Sequence, residues 1–156
     1  MTRPETHDET AHPSMPAEPT QARRFDKARK ARSATLVEDY VELISDLIVA
    51  HGEARATEIA KRLGVTHPTA LKAIARLKRE GLATSRPYRG IFLTESGQEL
   101  ADKVRARHRT IVEFLRALGV PKEAAEADAE GMEHHASEAT MKAFAHYLQA
   151  QKESQG

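Results

Sequence analysis

Apolar positions recur at helical spacing through most of the chain, interrupted once by a short stretch of strand character. From about Thr35 to Ala50, Val37, Val41, Ile44 and Ile48 repeat on one face, flanked by Leu36, Tyr40, Leu43 and Leu47, and Gly52 follows as a stop. This predicts a first, core-facing helix. Thr57 to Val65 reads as a short second helix, capped by Thr57 and ended by Gly64. After a brief turn a third begins, with Thr66 or His67 as cap, Pro68 in the first turn, Leu71, Ile74 and Leu77 on the inner face, and Gly81 at its close. The period then changes: an apolar stretch after Gly81, a Pro87-Tyr88-Arg89-Gly90 turn and Ile91-Phe92-Leu93 predict a β-hairpin. Thr94 to Gly97 caps a long fourth helix that runs to about Leu118 and is broken by Gly119 and Pro121. A fifth covers roughly Lys122 to Ala136, and a sixth, capped by Ser137, places Met141, Phe144, Ala145 and Leu148 on one side.

The fold class implied is mainly α. Two short helices joined by a glycine-bearing turn, the second opening with polar residues and carrying a basic outer face, form a helix-turn-helix, and a hairpin directly after it is a wing. Such a unit lays its second helix in the major groove of duplex DNA, first-turn residues meeting base edges and flanking basic residues meeting phosphates. The outward positions here are Thr66, His67, Pro68, Thr69, Lys72 and Arg76. Of these, His67, Thr69 and Lys72 are assigned to bases. Lys61, Arg76, Lys78, Arg79 and the wing residues Arg86, Tyr88 and Arg89 are assigned to the backbone. The competing reading is an ordinary solvated helical face.

Charge sharpens the division. The net charge of +1 conceals a basic segment (Arg55, Lys61, Arg62, Lys72, Arg76, Lys78, Arg79, Arg86, Arg89) followed by an acidic one (Glu113, Glu123, Glu126, Asp128, Glu130, Glu133, Glu138, Glu153). One part of the molecule suits an anion and the other a cation. Cysteine is absent, so any metal must be held by oxygen and histidine. No apolar run reaches bilayer length, and a cytoplasmic location with no membrane partner is expected. Residues 1–34 hold Pro4, Pro13, Pro16 and Pro19 and few large apolar side chains, which predicts a disordered tail. Its basic run from Arg23 to Arg32 has two readings, a phosphate contact near a bound duplex or a solvated segment.

The acidic part carries the chemistry. Glu130, Glu133 and His134 fall at i, i+3 and i+4, so a helix presents two carboxylates and an imidazole from one face. Paired carboxylates repel unless a cation or proton lies between them, and the imidazole adds a nitrogen donor. Partners for this edge are Asp39 and Glu42, at i and i+3 on the first helix, and His108, midway along the fourth. Their bland alternatives are surface acids near a helix start and a partly exposed histidine. Gly131 in mid-helix costs roughly 1 kcal/mol relative to alanine. It permits either close helix packing or access of a backbone carbonyl to a metal. His135 points about 100° away from His134 on a helix and is read as structural.

The run Glu38-Asp39-Tyr40-Val41-Glu42, the His67-Pro68 opening, Tyr88-Arg89-Gly90-Ile91-Phe92-Leu93-Thr94, Arg107-His108 and Asp128-Ala129-Glu130-Gly131-Met132-Glu133-His134-His135 resemble the diphtheria toxin repressor family. The resemblance spans about residues 35–148, in order and with matching separations. It implies a winged helix-turn-helix DNA-binding domain followed by an α-helical metal-binding and dimerisation domain. It places manganese ligands on Asp39, Glu42, His108, Glu130, Glu133 and His134, holding a pair of Mn2+ ions with Glu130 and Glu133 shared. The family's iron-sensing members have sulfur-bearing residues where Asp39 and Glu130 stand, so the oxygen here matches the manganese-sensing branch. The chain also lacks length for an SH3-like third domain.

The expected organisation is a disordered tail over 1–34, the DNA-binding domain over 35–107, the metal-binding and dimerisation domain over 108–150 and a flexible C-terminus over 151–156. The expected function is a manganese-responsive regulator, a homodimer that represses manganese uptake genes by binding operator DNA, with Mn2+ as co-repressor. The alternatives are an iron- or zinc-responsive regulator of the same build, Fe2+ or another divalent ion filling the site, and a di-metal carboxylate enzyme. Against the enzyme, residues 131 and 132 are Gly and Met rather than Glu, and no His-Glu-x-x-His is present.

Overall fold

Val37, Tyr40, Val41, Ile44 and Leu47 share one face of α1 (Glu18–His51) and are all buried, so this helix forms the spine on which the rest is assembled. In the computed structural model, which describes residues 13–156, it is followed by α2 (Ala56–Leu63), α3 (His67–Arg79), β1 (Ala83–Arg86), β2 (Gly90–Leu93), α4 (Glu95–Ala117), α5 (Lys122–His135) and α6 (Glu138–Ser154). The larger core joins α1 to Ile59 of α2, Ile74 and Leu77 of α3, Ile91 of the hairpin and Ala101 of α4. Ile44, Ile59 and Leu77 are wholly enclosed, and each such side chain stabilises the fold by about 1.5–3 kcal/mol. A smaller core gathers Ile111 of α4, Ala129 of α5 and Met141 of α6. Because α4 contributes its first half to one core and its second half to the other, the division expected between residues 107 and 108 falls within a continuous helix rather than at a linker.

The helix-turn-helix closes as its sequence dictates. Gly64 ends α2 in the left-handed conformation, at φ 68°, and Thr66 caps α3 by accepting a hydrogen bond from the Thr69 backbone N–H. The hairpin pairs antiparallel, with Ala83 opposite Leu93 and Arg86 opposite Gly90. It is seated on the loop after α1, where the Ile91 N–H donates to the Ala54 carbonyl at 2.8 Å. Gly90 is required there: at φ 87° a Cβ would stand 2.4 Å from the Ala54 oxygen.

Four expectations change. α1 begins at Glu18, not near Thr35, so residues 18–34 are helical rather than disordered; residues 1–12 lie outside the described residues. The segment has little to bury, but it is rich in alanine, arginine and lysine and continues a helix already nucleated by packing, so extension adds hydrogen bonds without a new nucleation step. At the other end α6 runs to Ser154, into the stretch expected to be flexible. Arg55, not Thr57, occupies the N-cap of α2, with no side-chain cap. Leu71 is 47% exposed, and the inner face of α3 is instead Ala70, Ala73, Ile74 and Leu77.

Candidate metal centre and nucleic-acid interface

Three helices converge at the junction of the two cores. Asp39 and Glu42 come from α1, His108 from α4, and Glu130, Glu133 and His134 from α5. Ligand atoms of His108, Glu130 and Glu133 lie within 4.8 Å of one another. Glu133 is the hinge of the arrangement. Its Oε2 stands 2.6 Å from His108 Nδ1, while its Oε1 faces His134 Nε2 at 3.4 Å. Asp39 Oδ1 approaches the same His134 nitrogen at 3.2 Å, and Glu130 Oε1 lies 3.6 Å from His108 Nδ1. Glu42 makes no hydrogen bond or ion pair with the cluster among the described residues, but Glu130 acts on its charge.

Burial sets the electrostatics. The Glu133 carboxylate is pushed up to about 7 by burial, with Glu130 adding to the rise and the two imidazoles opposing it. Burial also raises Glu42, assisted by Glu130 and Asp46. Burial depresses His134, but Asp39 and Glu38 outweigh it and raise the imidazole to about 10. His108 is likewise pulled down by burial and raised on balance by Glu126 and Glu133. Glu133 Oε1 is buried and has no hydrogen-bond partner, an arrangement that costs about 1–3 kcal/mol. An acceptor left bare inside a set of carboxylates and imidazoles is what a divalent cation would satisfy, so the residues fit a metal.

Two residues here were missed by the sequence reading. Glu38 Oε2 stands 2.6 Å from His134 Nδ1, and Glu126 Oε2 stands 2.8 Å from His108 Nε2. The signal was present as spacing: Glu38 precedes Glu42 by four, and Glu126, Glu130 and Glu133 fall at i, i+4 and i+7 on α5. Arg107 holds the frame. Its Nε donates to the Glu133 carbonyl at 2.8 Å, one terminal nitrogen donates to the Ala136 carbonyl, and the other reaches Glu138 at 3.0 Å. It thereby satisfies the open carbonyls at the end of α5 and fixes that helix against α4 and α6. At Gly131 a Cβ would meet nothing within 4 Å, so close helix packing does not account for the glycine.

The reading helix presents its expected face. Thr66, His67, Pro68, Thr69 and Lys72 are exposed, as are Lys61, Lys78, Arg79, Arg86, Tyr88 and Arg89. Arg86 lies over the Phe92 ring at 4.9 Å, and Tyr88, at φ 63° and 96% exposed, forms the tip of the wing. Arg76 differs from the others: its guanidinium donates to Ser33 Oγ at 3.1 Å and to Glu80 at 3.0 Å, turned onto α1.

Dimerisation through the second lobe would draw on apolar residues such as Ile111, Phe114, Leu115, Leu118 and Met141, and the structure divides them. Ile111 and Met141 are inside the chain's own second core, whereas Leu118 is 57% exposed. Phe114 stacks on Phe144 at 4.0 Å with Tyr147 against its edge.

Family models describe both halves. Residues 34–91 match the iron dependent repressor N-terminal DNA binding domain, and residues 94–155 match the iron dependent repressor metal binding and dimerisation domain. The transcriptional regulator MntR of Escherichia coli O157:H7 is 50% identical over 125 residues, 80% of this chain and 81% of that protein. The HTH-type transcriptional regulator MntR of Lysinibacillus sphaericus is 35% identical over 118 residues, 76% of this chain and 85% of its own. Among solved structures, the manganese regulator SloR superposes with a TM-score of 0.65 at 26% identity, covering 72% of this chain and 53% of that one. A manganese-dependent transcriptional repressor in complex with manganese gives 0.62 at 28% identity, covering 72% and 52%. The chain thus spans about half the length of these solved relatives. With both domains matched in order and half of the aligned residues identical to a named regulator, the chain belongs to the iron-dependent, or diphtheria toxin, repressor family of transcriptional regulators.

Proposed function

We propose that this regulator responds to manganese, and that Asp39, Glu42, His108, Glu130, Glu133 and His134 hold two Mn2+ ions that act as co-repressor for operator binding. The observation that carries the reading is Glu133: a buried carboxylate set between two imidazoles, one oxygen toward each, with Oε1 bare. Bound divalent ions would neutralise the four carboxylates and occupy that bare acceptor. Manganese is among the weaker binders of the divalent series, so a site favours it through hard oxygen donors rather than raw affinity; four carboxylates and no sulfur suit it. The family models that match both halves of the chain are described as those of iron dependent repressors, which makes ferrous iron the competing ion.

The residues supply the coupling. Asp39 and Glu42 sit on the spine that packs against the reading helix, while the other four sit on α4 and α5. Drawing these groups together fixes α1 against α5, and with it the setting of α3. In a homodimer assembled through the second lobe, that setting determines the separation of two reading helices, which must match half-sites about one helical turn or a multiple apart. Metal then favours the DNA-competent arrangement through its higher affinity for it. His67, Thr69 and Lys72 read bases; Lys61, Lys78, Arg79, Arg86, Tyr88 and Arg89 hold the phosphate backbone, and Thr66 and Pro68 set the helix start against it. The targets are manganese uptake genes and the setting is the cytoplasm; no helix among the described residues is long and apolar enough to cross a membrane.

The test is operator binding across separate manganese, ferrous iron and zinc series, each with a chelator control. Manganese should raise affinity by at least tenfold, and Glu133→Ala should remove that rise while leaving helical content intact. Equal affinity with and without metal ends the proposal, and a response to zinc or iron alone reassigns the ion.

A further inference from the structure

We propose that the helical extension of α1 ahead of the family's DNA-binding domain is a second duplex contact, in which Arg23, Arg24, Lys27 and Arg32 grip phosphates flanking the site read by α3. The inference rests on the DNA-binding reading above and adds to it a segment outside the matched domain, which begins at residue 34.

Packing does not explain this segment. Residues 18–33 would add roughly 24 Å of helix. None of them is buried, and their one large aromatic, Phe25, is 59% exposed. A helix kept for a structural purpose buries an apolar stripe, and this one has none. Its surface is instead strongly cationic. Asp26 engages Lys30 at 2.9 Å and Arg29 at 3.6 Å, which accounts for two of the basic side chains. Arg23, Arg24, Lys27 and Arg32 have no carboxylate within ion-pair distance among the described residues, and all four are exposed.

Placement decides what these charges meet. Arg76 of the reading helix is bonded to Ser33 through both the hydroxyl and, at 3.4 Å, the backbone carbonyl, which pins the base of the extension to the flank of α3. Lys30 and Arg76 line one groove beside that helix. Arg32 lines another with Thr69, a first-turn residue of the reading face. The cationic helix therefore leaves the molecule next to the surface that faces the duplex, and the polyanion nearest to it in a complex is the continuation of the same DNA. This also gives Arg76 a use: it anchors the second contact rather than touching phosphate itself.

The experiment uses the full chain saturated with manganese and two probes: a duplex selected by the parent protein from a random-sequence pool, and a mixed-sequence duplex of equal length. Arg23→Gln, Arg24→Gln, Lys27→Gln and Arg32→Gln are combined, since glutamine keeps helix propensity while removing charge. Affinity is measured across a salt series. Each phosphate contact contributes about 0.9 to the slope of log affinity against log salt, so the expected slope is shallower by roughly 2 to 4. Affinity for both probes should fall by the same factor, and the manganese titration midpoint should not move. A charge-conserving variant, Arg23→Lys, Arg24→Lys and Arg32→Lys, should keep the parent slope, which separates charge from folding. An unchanged slope in the glutamine variant overturns the proposal, as does loss of binding to only one probe, or an altered slope in the lysine variant. Failure of the parent to bind either probe with manganese would instead remove the underlying DNA-binding reading.

Discussion

Glu133 shows how one residue can store a demand for a ligand. Its carboxylate is enclosed, raised to about 7 by burial and left with one bare oxygen, so without metal it is held by the hydrogen bond between Oε2 and His108 alone, with His134 facing Oε1 at 3.4 Å. The sign of the pH dependence follows. A folded-state value of about 7, above the ordinary 4.5, means the native protein binds a proton that the unfolded chain releases between those values, so Glu133 lowers stability as pH rises through that window. His134, raised from 6.5 to about 10, stabilises the fold below 6.5 and loses that contribution as pH climbs toward 10. The chelated protein should therefore melt at a lower temperature at pH 8 than at pH 6. Metal affinity should move the other way, by up to tenfold per pH unit for each proton displaced, and calorimetric titration in buffers of different ionisation heat counts those protons. Glu126 is set to orient His108 through Nε2, leaving Nδ1 toward Glu130 and Glu133. Glu126→Gln should weaken manganese binding by roughly tenfold with little change in the melting temperature of the chelated protein.

At the scale of the elements, α5 carries a glycine that its own stability argues against. Open space around Gly131 means a methyl group would be accepted without any neighbour shifting. Gly131→Ala should therefore raise the melting temperature of the chelated protein, by an amount corresponding to about 0.5–1 kcal/mol. If the glycine serves to let a backbone carbonyl approach the ion, the same variant loses manganese affinity; unchanged affinity would dispose of that role. α1 behaves differently from its sequence pattern because an apolar stripe reports only the part of a helix that is packed. The stripe starts near Val37, and the residues before it become helical by propagation from a packed segment, a property that propensity signals and periodicity does not.

For the molecule as a whole, the relevant quantity is the coupling between its two cores. α4 passes through both, and Ser45 of α1 is buried against Gln98 of α4 while Arg105 of α4 bonds Asp46 at 2.6 Å, so the lobes are connected even without the ion. Metal held by the proposed ligands would add a further tie between α1 and α5 that the unfolded chain cannot make. Manganese at one hundred times its dissociation constant should stabilise the protein by about 2.7 kcal/mol, visible as a rise in melting temperature that a chelator reverses. No shift at that concentration would mean that the cluster is an internal proton-sharing network rather than a metal centre.

By itself the sequence determined the kinds and order of the elements, the reading helix with its cap narrowed to Thr66 or His67, the wing turn at Pro87–Gly90 and the common helix face of Glu130, Glu133 and His134, because each is a local pattern that backbone geometry turns directly into structure. Only the tertiary structure decided what lies across from what. That Leu71 faces solvent, that Ile111 and Met141 belong to an internal core, that Arg76 turns to Ser33, and that Glu38 and Glu126 complete the two histidine pairs are outcomes of packing between distant segments. Such contacts depend on how helices are set against one another, and a helix face wider than the site it serves leaves that setting open until the cores have formed.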